Sequence, residues 1–185
     1  MRRKLAAVAG AAFGLLAAVN TAHAELDLLS RIFGRPLGVA GGRDTVRIDT
    51  QYKPGTIIIS TSQRRLYYTL GDGTAISYGV GVGRPGFEWS GMKTVVNKRE
   101  WPDWTPPAQM IRRRPDLPRH MHGGINNPLG ARALYLGSSL YRIHGSNEPE
   151  TIGQAVSSGC IRMTNDDVID LYNRVRVGTR VVVMR

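Results

Sequence analysis

Short β-branched runs separated by tight turns constrain the fold of this chain more than any other feature. Residues 56–61 form one such run, residues 64–70 follow a polar turn, and residues 74–82 alternate after a Gly-Asp-Gly turn. Runs of this length between turn residues are typical of antiparallel strands. Further strands are predicted at 46–48, 93–100, 132–136, 140–143 and 179–184. The 185 residues are therefore predicted to form one mainly β domain of two packed sheets.

One substantial helix is predicted near the C-terminus. Thr164 is followed three positions later by Asp167, as in a capping box, and Gly178 ends the helical pattern. The apolar residues at 168, 171, 172 and 175 would lie on one face of this helix. The apolar strand at 179–184 is then expected inside a sheet. Shorter helical turns are predicted at 26–33, 107–114 and 151–156.

The single cysteine, Cys160, has neighbours that indicate acyl transfer. His144 lies at the end of a predicted strand, and Arg162 follows the cysteine by two positions. A thiol attacks as its thiolate, and an adjacent imidazole can take the proton, so we expect His144 to lower the pKa of Cys160. The backbone N–H groups of Ser158, Gly159 and Cys160 could stabilise an oxyanion, and Arg162 suits a substrate carboxylate. A buried core thiol or an intermolecular disulfide is the structural alternative.

The residues around this cysteine resemble those of the YkuD-type L,D-transpeptidases, including the ErfK/YbiS/YcfS/YnhG group. The resemblance rests on His144-Gly-Ser and on Ser157-Ser-Gly-Cys-Ile-Arg-Met163, and it extends over residues 52–184. Two positions depart from the commonest pattern. Ser158 stands where many members have histidine, which leaves His144 as the sole base candidate, and Ser146 stands where threonine is frequent.

This resemblance implies a YkuD-like β-sandwich and a cysteine acyltransferase that needs no cofactor or metal. Cys160 would attack the diamino acid of a peptidoglycan tetrapeptide stem, with His144 as base and acid and the Gly145 carbonyl orienting the His144 ring. The acyl acceptor would be a second stem, giving a 3-3 cross-link, or an envelope protein. Carbapenems are expected to acylate Cys160. Substrate contacts are assigned to Arg162 and to a further set of residues: Ser146, Tyr141 and His122.

Two other functions remain open at this point. The same acyl-enzyme could be hydrolysed by water, which would make the protein an L,D-carboxypeptidase or an amidase. The chain could also be a non-catalytic wall-binding module on an enzyme fold. The presence of Cys160, His144 and Arg162 together favours an enzyme over such a module.

The N-terminal residues predict export to the periplasm. Residues 1–24 combine a basic head, an apolar run and an Ala-His-Ala site, which indicates a cleaved signal peptide rather than a transmembrane anchor. Residues 25–50 are interpreted as a leader or linker, and residues 51–185 as the catalytic domain. Without the basic head, 22 basic and 14 acidic side chains leave a net charge of +8, which suits an anionic wall polymer. No nucleic-acid partner and no stable membrane span after signal cleavage are expected.

A loop at 115–130 carries two of the four histidines. His120 and His122 would lie on one side of an extended segment and could bind zinc with Cys160 or His144. The usual zinc-ligand spacings are missing, so no metal site is predicted. Trp89 and Trp104 are expected to pack in the core or to wall a substrate groove.

Overall fold

The computed structural model describes residues 42–185. The predicted signal peptide at 1–24, the helical turn at 26–33 and most of the predicted leader lie outside the described residues. Within the described part, strands predominate, and one helix of ten residues follows the cysteine. Eleven strands are present in residues 42–185: β1 Asp44–Arg47, β2 Ile57–Ser60, β3 Arg65–Thr69, β4 Thr74–Gly79, β5 Val82–Gly83, β6 Gly91–Glu100, β7 Arg132–Leu136, β8 Arg142–His144, β9 Ala155–Ser157, β10 Ile161–Arg162 and β11 Arg180–Met184.

Two α-helices complete the described part of the chain, α1 at Ala108–Arg113 and α2 at Asn165–Arg174. The prediction of a helical turn at 151–156 is wrong in its position. A single 3-10 turn covers Pro149–Thr151, and Ala155–Ser157 is a strand because it pairs with β5. Residues 44–47, which lie in the predicted leader, pair with β4 at the edge of the sheet.

Nine of the strands form one sheet in the order β1-β4-β3-β2-β11-β6-β7-β8-β10. The long strand β6 belongs to two halves of this sheet. Its first residues pair with β11, its last residues pair with β7, and the register shifts between Val95 and Asn97. Buried side chains from both halves meet in one core, as shown by Ile57 and Leu66 on one side and Leu134 and Ile143 on the other. The expected mainly β fold with one substantial helix is confirmed, and the two predicted sheets are halves of one nine-stranded sheet because β6 pairs in both.

The apolar final strand lies inside the sheet, as its composition predicts. β11 pairs in parallel with β2 and antiparallel with β6, and Val181, Val182 and Val183 are buried. Strands buried on both faces have apolar sequences without alternation. The meander of β2, β3 and β4 is antiparallel throughout.

Helix α2 packs against the core immediately after the cysteine segment. Its N-cap is Thr164, whose hydroxyl accepts a hydrogen bond from the Asp167 N–H at 3.2 Å. Val168 and Leu171 are fully buried against the sheet. At the other end Lys98 donates from Nζ to the carbonyls of Tyr172 and Val175, where the helix dipole favours a cation. Hydrogen bonds from the rest of the protein therefore stabilise both ends of α2, and the start of α2 fixes the end of the cysteine segment.

Among residues 42–185 the structure contains no helix with the length and apolar character needed to cross a membrane.

Candidate active site

Two short parallel strands bring the chemistry-bearing residues together. β8 and β10 pair in register, with Ile143 opposite Ile161 and His144 opposite Arg162. Both isoleucines are buried in the core. Because side chains alternate along a strand, His144 and Arg162 point to the opposite face of this pair. Cys160 immediately precedes β10, so the same alternation places its side chain on the face that carries His144 and Arg162.

His144 is buried, with 4% of its surface exposed, at the end of β8. Its Nδ1 lies 2.6 Å from the carbonyl oxygen of Gly145. A carbonyl can only accept a hydrogen bond, so Nδ1 carries the proton and Nε2 has a free lone pair. Burial lowers the pKa of His144 from 6.5 to about 4; the Gly145 hydrogen bond opposes this shift, and the nearby charges of Arg162 and Arg142 add to it. At neutral pH the ring is therefore a neutral base.

The Cys160 thiol is half-buried, and its Sγ lies 3.7 Å from the carbonyl oxygen of Leu140. Burial raises the pKa of this thiol above its ordinary value, while the main-chain N–H and guanidinium of Arg142 act in the other direction. The expectation of a lowered thiol pKa is therefore wrong for the resting protein. At neutral pH the resting protein therefore has a neutral imidazole at His144 and a protonated thiol at Cys160.

The loop before Cys160 orients its peptide groups by side-chain hydrogen bonds. The Ser157 hydroxyl donates to the Cys160 carbonyl at 2.6 Å and accepts from the Gly159 N–H at 3.1 Å. The Gly159 N–H is thus already engaged, which leaves the Cys160 N–H as the better oxyanion donor. Gly159 has a φ of +103°, and a Cβ there would lie 2.7 Å from the Tyr141 ring. Glycine is required at this position for both reasons.

Trp89 lies against this loop. Its ring stacks on Tyr141 at a centroid distance of 4.6 Å, and its Nε1 donates to the Gly159 carbonyl at 2.8 Å. This carbonyl and the Cys160 N–H belong to one peptide plane and point in opposite directions. Trp89 therefore fixes the direction of the Cys160 N–H. Lys93 places its ammonium 5.5 Å from the Trp89 ring centroid and 5.6 Å from that of Tyr141.

Arg162 has a protein carboxylate as its partner. Its Nη1 lies 3.0 Å from Oε2 of Glu148 and 3.4 Å from the hydroxyl of Thr151. The arginine side chain is 21% exposed. Arg162 therefore holds a carboxylate of the protein itself.

The remaining predicted substrate residues lie in different surroundings. Ser146 is buried, and its hydroxyl accepts from the Glu148 N–H at 3.0 Å, so it shapes the turn that carries Glu148. His122 is highly exposed, and its contacts are with Asp103 and His120. The structure brings Tyr141 to Gly159, whereas His122 contacts Asp103 and His120 on a different surface from β8 and β10.

Sequence reasoning missed Arg142, Glu148 and the hydrogen bond of Trp89. The position of Arg142 could have been found, because it precedes His144 by two residues on a strand and must share its face. Glu148 and Trp89 carried no such signal, since their contacts with Arg162 and Gly159 depend on chain segments that meet only in the fold.

A pocket of about 370 Å³ lies beside the β5–β9 pair. Its lining includes Arg64, Val82, Gly83, Glu88 and Ala155. Neither Cys160 nor His144 belongs to this lining, so the pocket is separate from the reactive groups. The candidate site is instead formed by β8, β10 and the loop between β9 and β10.

Sequence comparison relates this chain to known proteins. Residues 54–183 match the YkuD family, described as the L,D-transpeptidase catalytic domain. The probable L,D-transpeptidase ErfK/SrfK of Escherichia coli K12 is 39% identical over 137 residues, which are 69% of this chain and 43% of that protein. The chain thus spans less than half the length of such curated relatives.

Solved structures show the same fold. L,D-transpeptidase 3 from Mycobacterium tuberculosis superposes with a TM-score of 0.58 at 19% identity, over 70% of this chain and 60% of that one. A protein of Brucella melitensis, named a probable carnitine operon oxidoreductase, has 45% identity and a TM-score of 0.53, over 80% of this chain and 96% of that one. That name describes the Brucella protein; the family assignment rests on residues 54–183 and on the ErfK/SrfK relatives. The chain belongs to the YkuD family of L,D-transpeptidase catalytic domains.

Proposed function

We propose that this protein is a periplasmic L,D-transpeptidase that acts on peptidoglycan tetrapeptide stems through a thioester on Cys160. The observation that carries the proposal is the hydrogen bond from His144 Nδ1 to the Gly145 carbonyl, 2.6 Å long. It leaves Nε2 as an acceptor on the face that Cys160 shares. A neutral, oriented imidazole beside a thiol is the arrangement that nucleophilic acyl transfer requires.

The first half-reaction forms the acyl-enzyme. The thiol proton passes to His144 Nε2 while sulfur attacks the carbonyl carbon of the diamino acid in the stem. The Cys160 N–H donates to the developing oxyanion, and Trp89 holds that N–H in position through the Gly159 carbonyl. When the tetrahedral intermediate collapses, the C–N bond breaks, and the D-alanine amine leaves with the proton from His144. A thioester remains on Cys160.

The second half-reaction restores the enzyme. An acceptor amine attacks the thioester carbonyl, and its proton passes to His144. The C–S bond then breaks, and the proton returns to sulfur as the new amide leaves. We propose a second stem as the acceptor, giving a 3-3 cross-link, with an envelope protein as the alternative amine. Both acceptors use the same residues of this chain.

Arg162 is proposed to hold a carboxylate of the donor stem. A guanidinium presents two parallel N–H groups to a carboxylate, which a lysine cannot do. In the resting protein Arg162 pairs with Glu148, and the donor carboxylate is proposed to displace Glu148 from this pair. The signal peptide at 1–24 is proposed to deliver the protein to the periplasm, where the net charge of +8 favours approach to an anionic polymer.

The test is incubation of the purified protein with disaccharide-tetrapeptide, followed by mass spectrometry of the products. We expect cross-linked dimers and free D-alanine from the wild type and neither product from Cys160→Ala or His144→Gln. Tripeptide without dimer would show that water is the acceptor. Unchanged tetrapeptide with a correctly folded wild type would refute the proposed reaction.

A second experiment tests the thioester directly. A carbapenem presents a strained amide carbonyl, so it should acylate Cys160 and give a single mass adduct. The adduct should be absent in Cys160→Ala. An adduct of the same mass on Cys160→Ala would assign the acylation to another residue.

A further inference from the structure

Three side chains from two segments of the chain meet on one exposed surface outside the candidate active site. Asp103 Oδ2 lies 3.3 Å from His120 Nε2 and 3.7 Å from His122 Nδ1. One potential ligand atom from each of the three residues lies within 4.8 Å of the others. We propose that Asp103, His120 and His122 form a binding site for a divalent transition-metal ion such as Zn²⁺.

The backbone places these three side chains on the same face. Trp104 and Met121 form an antiparallel bridge with two main-chain hydrogen bonds of 2.8 Å. In such a ladder Asp103 lies opposite His122, and His120 lies diagonally from Asp103. Because side chains alternate in extended backbone, all three project to the face opposite that of Trp104 and Met121. The arrangement is therefore a consequence of main-chain pairing.

A buried asparagine holds the two segments together. Asn127 is 1% exposed, and its Nδ2 donates to the carbonyls of Pro102, Met121 and His122 at 3.0–3.3 Å. These carbonyls belong to both sides of the bridge. The ligand-bearing backbone is thus fixed from within the protein, although the ligand side chains themselves are exposed. Side-chain rotation alone would therefore bring the three ligand atoms to a metal ion.

The carboxylate of Asp103 is also oriented. Its Oδ1 accepts a hydrogen bond from the Gly123 N–H at 2.9 Å, which turns Oδ2 toward the two imidazoles. Gly123 approaches the main chain so closely that a Cβ there would collide with the Trp101 carbonyl. The second oxygen of Asp103 is therefore directed toward His120 and His122 by the main chain.

The donor set suits zinc. Zinc binds imidazole nitrogen and carboxylate oxygen at about 2.0–2.2 Å, so two ligand atoms of a tetrahedral site lie about 3.3–3.6 Å apart. The two distances from Asp103, 3.3 and 3.7 Å, are close to this range. Three protein ligands leave a fourth position for water or for an external anionic group. Mg²⁺ prefers oxygen ligands and should bind poorly.

The experiment measures Zn²⁺ binding by titration calorimetry. The protein carries Cys160→Ala, so that no thiolate can bind the metal, and it is purified without a histidine tag. We expect saturable binding of one Zn²⁺ per chain. His120→Gln and His122→Gln should each weaken binding by about tenfold or more, and the double variant should weaken it further. Asp116→Asn is the matched control, because Asp116 is an exposed carboxylate that pairs with Arg114, and it should leave the affinity unchanged.

Two outcomes would refute the site. One is the absence of saturable Zn²⁺ binding, and the other is equal Zn²⁺ affinity in the parent and the double histidine variant. The histidine variants are used because neither imidazole has a main-chain partner among the contacts of the described residues, whereas Asp103 supports Gly123. Circular dichroism of the metal-free variants confirms that they fold. The spectrum of bound Co²⁺ provides a second readout, which should show imidazole coordination in the parent and lose it in the double variant.

Discussion

Replacing Trp89 by phenylalanine tests whether the indole positions the oxyanion donor. Phenylalanine keeps a ring that can stack on Tyr141, which lies at a centroid distance of 4.6 Å from the indole. It removes the donor of the 2.8 Å hydrogen bond to the Gly159 carbonyl. The Gly159–Cys160 peptide plane then loses the contact that fixes the direction of the Cys160 N–H. The change therefore removes the hydrogen-bond donor and keeps an aromatic ring at this position.

The expected magnitudes for folding and for reaction differ. A neutral hydrogen bond contributes about 0.5–1.5 kcal/mol to stability, so the free energy of unfolding should fall by about that amount. Removing an oxyanion donor outright costs about 100- to 1000-fold in rate. Here the Cys160 N–H remains but is less well oriented, so we expect a loss of about tenfold, or about 1.4 kcal/mol of activation free energy.

The assay compares two reactions of the same thiol. Acylation by a carbapenem forms an oxyanion, whereas alkylation by iodoacetamide displaces iodide at carbon and forms none. In Trp89→Phe the acylation rate should fall while the alkylation rate is unchanged. Trp104→Phe is the control, since Trp104 makes its hydrogen bonds to Met121 through its main chain. Equal losses in both reactions, or an unchanged acylation rate in a folded variant, would refute the positioning role.

Three further predictions concern charge at the site. Burial raises the pKa of Cys160 above 9.0, so iodoacetamide labelling should still be rising at pH 9, and Arg142→Gln should shift the profile to higher pH; a plateau near neutrality would contradict this. Burial lowers the pKa of His144 from 6.5 to about 4, so between these two pH values the imidazole binds a proton in the unfolded chain but not in the folded one. The stability that His144 contributes is present above pH 6.5 and is lost as the pH falls to about 4. Between pH 7 and pH 4 the free energy of unfolding, measured with urea, should therefore fall by about 3 kcal/mol more in the wild type than in His144→Gln. An equal fall in both proteins would show that burial does not shift the pKa of His144. Arg162→Lys should slow tetrapeptide turnover by about tenfold or more without changing iodoacetamide labelling. Glu148→Gln should lower the KM for tetrapeptide, because it removes a carboxylate that competes for Arg162. A raised KM in Glu148→Gln would contradict this competition.

The sequence determined the elements whose signals are local. The β-branched runs and turn residues predicted strands β2 and β3 within one residue at each end, because extended backbone and tight turns depend on neighbouring residues. They also predicted the start of β4, although that strand ends three residues earlier than expected, at Gly79. Thr164 and the apolar positions of α2 predicted that helix for the same reason. The misplaced turn at 151–156 is informative, because Ala155–Ser157 becomes a strand through pairing with the distant β5.

The sequence also identified Cys160, His144 and Arg162 as candidates, because their spacing and flanking residues form a recognisable motif. Only the tertiary structure decided their states and partners. Burial, rather than the neighbouring imidazole, dominates the thiol pKa and leaves His144 neutral. The contacts of Arg162 with Glu148, of Trp89 with Gly159, and of Asp103 with His120 join segments that no local pattern relates. Strand pairing and burial depend on the whole chain, since register and desolvation arise only when distant segments pack together.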